Sequence, residues 1–524
     1  MKKYRILWAD DEIELLRPHV FFLEDKGYEI VTVNSGQDAL DCCSAESFDL
    51  VFLDENMPGL TGLQTLSKIK EIDPNIPVIM ITKSEDEGIM TDAIGKKIAD
   101  YLIKPVNPNQ ILSSIKKNLH KNDIVSEATV EGYREEFNKI GAQIGFADSF
   151  DEWSDVYRKL VFWELELTAT QNPLLDLIIA QKQDANNSFL KFVKKNYESW
   201  VHDAEHRPLI SPDLFKKKLF PLLDNGEKVF FVLIDNFRLD QWLAIKDMLA
   251  PDFTIEEDMY MSILPTATQY ARNSIFSGLM PLQISEMYPD LWVEDTEDEG
   301  KNLNEEAFVK AQIDRFRKNY SFSYNKIHTS SYGSKLVQNL NTLQNNQLNV
   351  IVVNFVDMLS HARTDSQMIR ELAASEAAYR SLTRSWFRHS STSDLFKKIA
   401  DMGYKIILTT DHGTIRVKNP LKVIGDKQTN SNLRYKVGKN LDYNYKKVYE
   451  SRNPSQIGLP SPNISSKYIF AQNDDFFAYP NNYNYYVSYY IDTFQHGGIS
   501  LEEMLIPLAV SYTHLRAHET GRNL

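Results

Sequence analysis

The sequence predicts an α/β multidomain protein, and three observations predict it. Between residues 1 and 122, five short apolar runs alternate with helical patterns, the signature of a doubly wound parallel sheet. Residues 123–205 carry helical periodicity without a strand-like run. Residues 206–509 return to apolar strands, three of which close on an aspartate. A chain of 524 residues has room for three or four domains, each burying its own core.

Composition narrows the class. Hydrophobic content of 43% with 25% charged residues is that of a globular protein. A formal net charge of −14 opposes non-specific coating of nucleic acid, which relies on positive charge. No apolar run approaches the ~20 residues of a membrane-spanning helix, so no membrane insertion is expected. The opening "MKKYRILWADDE" places acids directly after its short apolar run, unlike a signal peptide. Cys42 and Cys43, the only cysteines, are adjacent in a helical pattern and make neither a CxxC site nor a disulfide framework, which points to the reducing cytoplasm.

In the first segment the strand-like runs are "YRILWADD", "EIVTVN", "DLVFLDENMPG", "PVIMITKS" and "DYLIKP", separated by helical stretches such as "SGQDALDCCSA" and "TGLQTLSKIKEI". Working residues of such sheets emerge at the carboxyl ends of the strands. Those ends carry Asp10-Asp11, Asp54, Thr82 and Lys104. Any one acid reads as a loop residue or helix cap. Three carboxylates on one edge repel unless a hard divalent cation sits between them, and oxygen-only ligands suit Mg²⁺. This segment resembles a response-regulator receiver domain: "LDENMPGLTG" carries the Asp-x-x-Met-Pro-x-x-x-Gly signature and "YLIKP" the Lys-Pro. The resemblance implies that Asp54 accepts a phosphoryl group from a sensor histidine kinase. It also implies that Asp10, Asp11 and Asp54 hold one Mg²⁺, that Lys104 pairs with the phosphoryl oxygens, and that Thr82 and Tyr101 form the switch pair. The physical input is an added charge near about −2.

From residue 123 the helical stretches are "EGYREEFNKIGAQI", "SFDEWSDVYRKLVFWELEL" and "NPLLDLIIAQKQDANNSFLKFVKKNYESW", the last starting at Pro173 after Asn172. Their Trp, Leu and Phe spacing reads as core faces of a small bundle rather than a partner surface. Chain order alone makes this linker a transmitter. With neither a helix-turn-helix signal nor a basic recognition helix, a DNA-binding output is disfavoured.

In the third segment "KVFFVLID", "LNVIVVNFVD" and "YKIILTTD" end at Asp235, Asp357 and Asp411. Continuous apolar runs of this kind are parallel strands buried on both faces. Three anionic groups on one edge demand a cation or a shift in protonation. His412 is adjacent to Asp411, His361 stands one helical turn after Asp357, and His496 lies in the Gly-rich "QHGGIS". His202, His206, His328 and His389 read as packed or surface residues. Mixed imidazole and carboxylate ligands suit Zn²⁺ or Mn²⁺ better than Ca²⁺, and six of them suit two ions.

The stretch "ILPTATQYARNSIFSG" contains threonines that a bland reading makes helix caps. It is similar to the nucleophile segment of the alkaline-phosphatase superfamily, with the nucleophile four residues before an Arg or His. Counting back from Arg272 gives Thr268, with Thr266 as the fallback. "LIDNFRLDQW" and "LRYKVGKNL" resemble the PglZ branch of that superfamily. The resemblance implies an alkaline-phosphatase-like α/β domain with two Zn²⁺. Asp235, Thr268, Asp411 and His412 would hold one ion, and Asp357, His361 and His496 the other. It implies a phosphodiesterase or phosphatase in which Thr268 attacks phosphorus, with Arg272 among the catalytic residues. A threonine cannot give formylglycine, which sets sulfatase chemistry aside.

Residues 433–452 carry six Lys/Arg against two acids, with four tyrosines. They read either as a solvated loop or as a lip in which Arg434, Tyr435, Lys436 and Lys439 grip phosphates while tyrosines stack on bases. The lip favours a phosphodiester or oligonucleotide substrate. "FKKKLF" (215–220) reads as an exposed helix face.

Receiver (1–122), helical bundle linker (123–205) and PglZ-type domain (206–509) together resemble the PorX-like response regulators, which are linked to type IX secretion. This resemblance implies a cytoplasmic, phosphorylation-controlled zinc phosphodiesterase with a phosphorylation-promoted homodimer. The rival reading is a signalling adaptor: its metal site binds a nucleotide or is structural, and its output is contact with a sigma factor or secretion component. The closing "VSYTHLRAHET" resembles translated sequencing-adapter read-through and departs in pattern from "EEMLIPLAV" before it. Residues 510–524, with His514 and His518, are therefore expected to be a non-native tail replacing a few natural residues.

Overall fold

The computed structural model describes residues 4–513 except 75, 84–97, 120, 171, 173, 295–301, 366–372, 374, 427–428 and 464. The chain divides into two compact units, residues 1–132 and 133–524.

The first unit is a five-stranded parallel sheet of β1 (Arg5–Ala9), β2 (Glu29–Val33), β3 (Leu50–Leu53), β4 (Val78–Thr82) and β5 (Asp100–Ile103). Its order, β2-β1-β3-β4-β5, reverses between β1 and β3, the switch point at which such sheets bind ligands. Asp10 and Asp54 follow those two strands. Helices Gly36–Ala45 and Gly62–Ile72 start where Ser35 and Thr61 cap them, accepting from the amides of Asp38 and Gln64. Gly62 closes the acidic signature for a steric reason. A Cβ there would run into the Asp54 carbonyl oxygen and lie 2.9 Å from Glu55 Cα.

The second unit contains the linker from residue 133 onwards. Helices Phe150–Ala169 and Leu175–His202 bury Trp153, Leu160, Phe189 and Tyr197 in one core continuous with the large sheet. The expected helix start at Pro173 lies outside the described residues, and the helix runs from Leu175. The sheet contains β6 (Val229–Ile234), β7 (Phe253–Met261), β8 (Phe322–Ile327), β9 (Leu348–Val353), β10 (Lys405–Thr409) and a last strand, Leu505–Thr513. The order is β7, Leu505–Thr513, β10, β6, β9, β8. β6, β8, β9 and β10 pair in parallel, and Leu505–Thr513 runs against its neighbours. Leu233 sits opposite both Thr409 and Val352, so the residues after these strands leave the sheet at one level. β6 and β9 are buried throughout, as unbroken apolar runs require.

Two expectations are corrected. The strand expected to reach Asp357 ends at Val353, and Asp357 lies in the first turn of helix Phe355–Asp365. Residues 510–513, expected to open a non-native tail, pair within the last strand whatever their origin, with Val510, Ser511 and Tyr512 opposite Glu256, Ile255 and Thr254. Residues 514–524 lie outside the described residues. The lip expected at 434–436 is interior: strand Tyr435–Gly438 pairs with Lys467–Ala471. Arg434 is wholly buried against Glu503, at 2.6 and 3.1 Å, and Lys436 donates to the Asn430 carbonyl at 2.8 Å. Lys439 is exposed, as are Lys216 and Lys217 of "FKKKLF".

Removing one partner of a buried ion pair strands the other charge. Arg434→Leu is therefore expected to destabilise the second unit by about 3–5 kcal/mol. Lys439→Ala should leave its calorimetric melting temperature unchanged.

Candidate metal centres

At the switch point of the first sheet, Asp10, Asp11 and Asp54 offer carboxylate oxygens within 4.8 Å of one another. Lys104 Nζ reaches Asp10 at 2.7 Å and Asp54 at 2.9 Å. Burial pushes the Asp54 carboxyl up, against the pull of Lys104. Its Oδ1 is buried without a hydrogen-bond partner, which suits an oxygen meant for a cation and a phosphoryl group. Thr82 is buried at the end of β4 and Tyr101 is half-buried on β5.

In the second unit, Asp235, Asp411 and His412 bring ligand atoms within 4.8 Å of one another, all three buried. Thr268 Oγ1 lies 3.1 Å from His412 Nε2 and 3.4 Å from Asp235 Oδ1. Thr268 is the first residue of helix Thr268–Ser277, whose N-cap is Ala267, so its hydroxyl is not spent on capping. Thr266 differs. Its hydroxyl donates to the Gly498 carbonyl at 2.9 Å and accepts from the Gly497 amide at 3.0 Å, so it fastens a loop.

Both histidines are oriented alike. Nδ1 of His412 donates to the Gly413 carbonyl at 3.1 Å, and Nδ1 of His496 to the Thr266 carbonyl at 3.1 Å. A carbonyl only accepts, so each Nδ1 carries a proton and Nε2 is the nitrogen turned towards the site, as ligation of a metal requires. His496 Nε2 lies 3.9 Å from Asp357 Oδ1, and its ring stacks on His412 with centroids 4.2 Å apart. The side chain of His361 lies outside the described residues.

Arg272, wholly buried, stands behind the carboxylates. It contacts Asp235, reaches Asp411 at 2.9 Å and Glu305 at 3.1 Å. Burial drives Asp411 up, but Arg272 and His412 outweigh it and hold its carboxyl at about 2. Asp235 remains raised by burial and by the neighbouring Asp411, and Asp357 is raised by burial and by Asp235. One guanidinium thus leaves the crowding only partly offset, and the donor set fits further cations. Sequence reasoning missed Glu305 and Asn236. Asn236, at φ 60°, turns the chain after Asp235 and donates to Asp357 at 3.4 Å and Ser360 at 3.1 Å. An asparagine following a strand-end aspartate was the available signal for it.

A receiver sheet followed by an α/β unit with a metal-ligand cluster and a threonine at a helix start defines a response regulator with a hydrolase-like effector. Residues 6–116 match the family described as the response regulator receiver domain, and residues 123–201 the PorX response regulator linker domain. Residues 214–510, more than half of the chain, match the BREX system PglZ alkaline phosphatase-like domain. The chain belongs to the PglZ family, in a PorX-like fusion of receiver, linker and PglZ domain. Among curated relatives, the alginate biosynthesis regulator AlgB of Pseudomonas putida is 34% identical over 135 residues, 26% of this chain and 30% of that protein. The transcriptional regulator YkoG of Bacillus subtilis is 30% identical over 127 residues, 24% of this chain and 56% of that protein. The chain therefore spans about a third to just over half the length of these relatives. A CheY-like receiver protein of Methanospirillum hungatei shares 28% identity over 23% of this chain and 96% of that one, with a TM-score of 0.23. A receiver domain implies a histidine kinase as partner. Among the described residues, no helix is long and apolar enough to cross a membrane.

Arg272→Met would leave Asp235, Asp411 and Glu305 without their shared cation. The metal-free variant is expected to lose about 3–5 kcal/mol and to gain more in melting temperature from added Zn²⁺ than the wild type, as read by thermal shift.

Proposed function

We propose that this chain is a cytoplasmic response regulator whose phosphorylation on Asp54 controls a zinc-dependent phosphodiesterase, with Thr268 as nucleophile. The observation that carries the reading is the Thr268 hydroxyl, uncommitted to capping and aimed at Asp235 and His412 at 3.4 and 3.1 Å. Asp235, Asp411, His412 and Thr268 would hold one Zn²⁺, and Asp357, His496 and His361 a second. Bound zinc supplies a lowered pKa for a coordinated hydroxyl and positive charge for phosphate oxygens.

The chain's own residues do the rest. His412 keeps its proton on Nδ1, leaving Nε2 to face the Thr268 hydroxyl. Arg272 is a positioning residue rather than a catalytic one: it is wholly buried, touches the carboxylates and holds Asp411 ionised. Helix Thr268–Ser277 starts without a side-chain cap, and helix N-termini favour a phosphate. In the receiver, Mg²⁺ would join Asp10, Asp11 and Asp54, Lys104 would pair with the phosphoryl group, and Thr82 and Tyr101 would switch. The expected outcome is a phosphorylation-promoted homodimer. The match to the PorX linker supports a place in type IX secretion.

In the adaptor reading, output is contact with a sigma factor or secretion component and needs no nucleophile. Zinc content and hydrolysis of bis-p-nitrophenyl phosphate, compared across wild type, Thr268→Ala and Asp54→Ala, separate the two. Thr268→Ala should keep its zinc and lose turnover by at least about 100-fold. Unchanged turnover would remove Thr268 as nucleophile, and a wild type without zinc or turnover would favour the adaptor.

A further inference from the structure

We propose that the linker helix Leu175–His202 supplies two positioning residues of the metal centre, Lys182 and Asn186, which act through Glu502-Glu503. The proposal rests on the zinc-hydrolase reading for its consequence in catalysis, but its geometry stands apart from that reading.

Asn186 is buried, accepts from the Leu501 amide at 2.7 Å and donates to Glu502 Oε2 at 3.1 Å. Lys182 Nζ lies 3.1 Å from Glu502 Oε1 and 2.8 Å from Glu164 Oε2. Both carboxylate oxygens of Glu502 are thus held by one linker helix. The main chain of Glu502 in turn meets the loop that carries His412. A Cβ on Gly413 would collide with the Glu502 carbonyl oxygen and lie 3.3 Å from Arg238 Cγ, so only glycine fits this approach.

Glu503 completes the hub. Its carbonyl accepts from the Gly413 amide at 3.2 Å, and its Oε1 accepts from the Gly498 amide at 2.9 Å. Arg434 and Ser500 fix the same carboxylate, at 2.6 and 2.7 Å from Oε2. One dipeptide therefore fastens the residue after His412 and the residue two beyond His496. A second thread runs from Glu164 through Arg380 (2.9 Å), Asp240 (3.1 Å) and Arg238 (2.7 Å), and Arg238 Nη1 donates to the Thr414 carbonyl at 3.4 Å. Both threads start in the linker and end on the Asp411–Thr414 loop.

Stability alone is a poor reason for such a network, since buried ion pairs often stabilise no better than apolar side chains of the same volume. Orientation is a better one. Groups that order metal ligands from outside the coordination sphere typically change affinity or activity by about 10–100-fold when removed. On this account the linker forms part of the scaffold that aims Nε2 of both histidines.

The test uses full-length Lys182→Met, Asn186→Ala and Lys182→Arg, with Ile140→Ala as a cavity variant elsewhere in the linker core. The cobalt(II)-substituted proteins report ligand geometry through their visible d–d bands, and amide hydrogen exchange reports the 409–416 and 494–500 segments without any metal. Lys182→Met and Asn186→Ala should exchange faster in both segments and show altered cobalt bands. Their kcat for bis-p-nitrophenyl phosphate should fall about 10–100-fold with KM little changed. Lys182→Arg should restore exchange and bands, whereas Ile140→Ala should lower the melting temperature and change neither. Wild-type exchange in both segments of Lys182→Met and Asn186→Ala would overturn the proposal, as would equal changes in Ile140→Ala. A wild type that hydrolyses no diester while exchange responds as expected would sink the phosphodiesterase reading and leave the positioning role standing.

Discussion

The second unit is organised around one electrostatic constraint: acids delivered to a single rim of a buried parallel sheet must be held together against their own repulsion. β6 and β10 leave the sheet at the same level, which brings Asp235 and Asp411 side by side out of water. Isolated buried carboxylates are so unfavourable that they either take up protons or acquire a cation. Among the described residues Arg272 is the cation that the chain itself provides, and it explains why a fully buried arginine sits on a helix that otherwise presents Tyr270, Ile275 and Phe276 to the core. Its charge is enough to hold Asp411 ionised and not enough for Asp235 and Asp357, which stay raised. The crowding that Arg272 leaves is what the donor set offers to a further cation.

The first unit meets the same constraint on a smaller scale. Lys104 bridges Asp10 and Asp54 much as Arg272 bridges Asp235 and Asp411, but it is an ammonium on a flexible stem. A flexible point charge can follow a carboxylate that becomes a phosphorylated one, whereas a guanidinium locked by three acids cannot move without stranding them. Each cation therefore suits its own centre. On the function proposed above, the receiver rim has to change charge state, and the rim of the second unit has to keep its geometry.

Much of this was legible in the sequence, for a physical reason. Strands buried on both faces appear as unbroken apolar runs, and their ends appear as the first acids after them, so Asp54, Asp235 and Asp411 could be read directly. Asp357 was read at a strand end because Phe355 and Val356 prolong the apolar run, although the chain turns helical at Phe355. The lip at 434–436 failed because charge in a sequence says nothing about whether a partner lies elsewhere. Arg434 looks solvated until Glu503, distant in the chain, is seen against it. Val510, Ser511 and Tyr512 are strand-compatible whatever their origin, and the edge of β7 accepts them. Glu305 was illegible for lack of any local pattern.

The linker is where local pattern and tertiary role diverge furthest. Periodicity assigned its apolar stripes to a core, and they do form one, but that core is shared with the large sheet rather than private to a bundle. The polar residues that escaped notice, Glu164, Lys182 and Asn186, sit at helix positions that periodicity would give to solvent or to packing. Burying charged side chains at a seam is unfavourable unless each finds its counterpart, so the seam tolerates only a narrow range of relative positions for helix and loop. An apolar seam would let the helix slide by small amounts at little cost. A seam of paired charges makes its position close to all-or-none, and that discreteness is what a helix needs if its placement is to decide whether two histidines point at the same place.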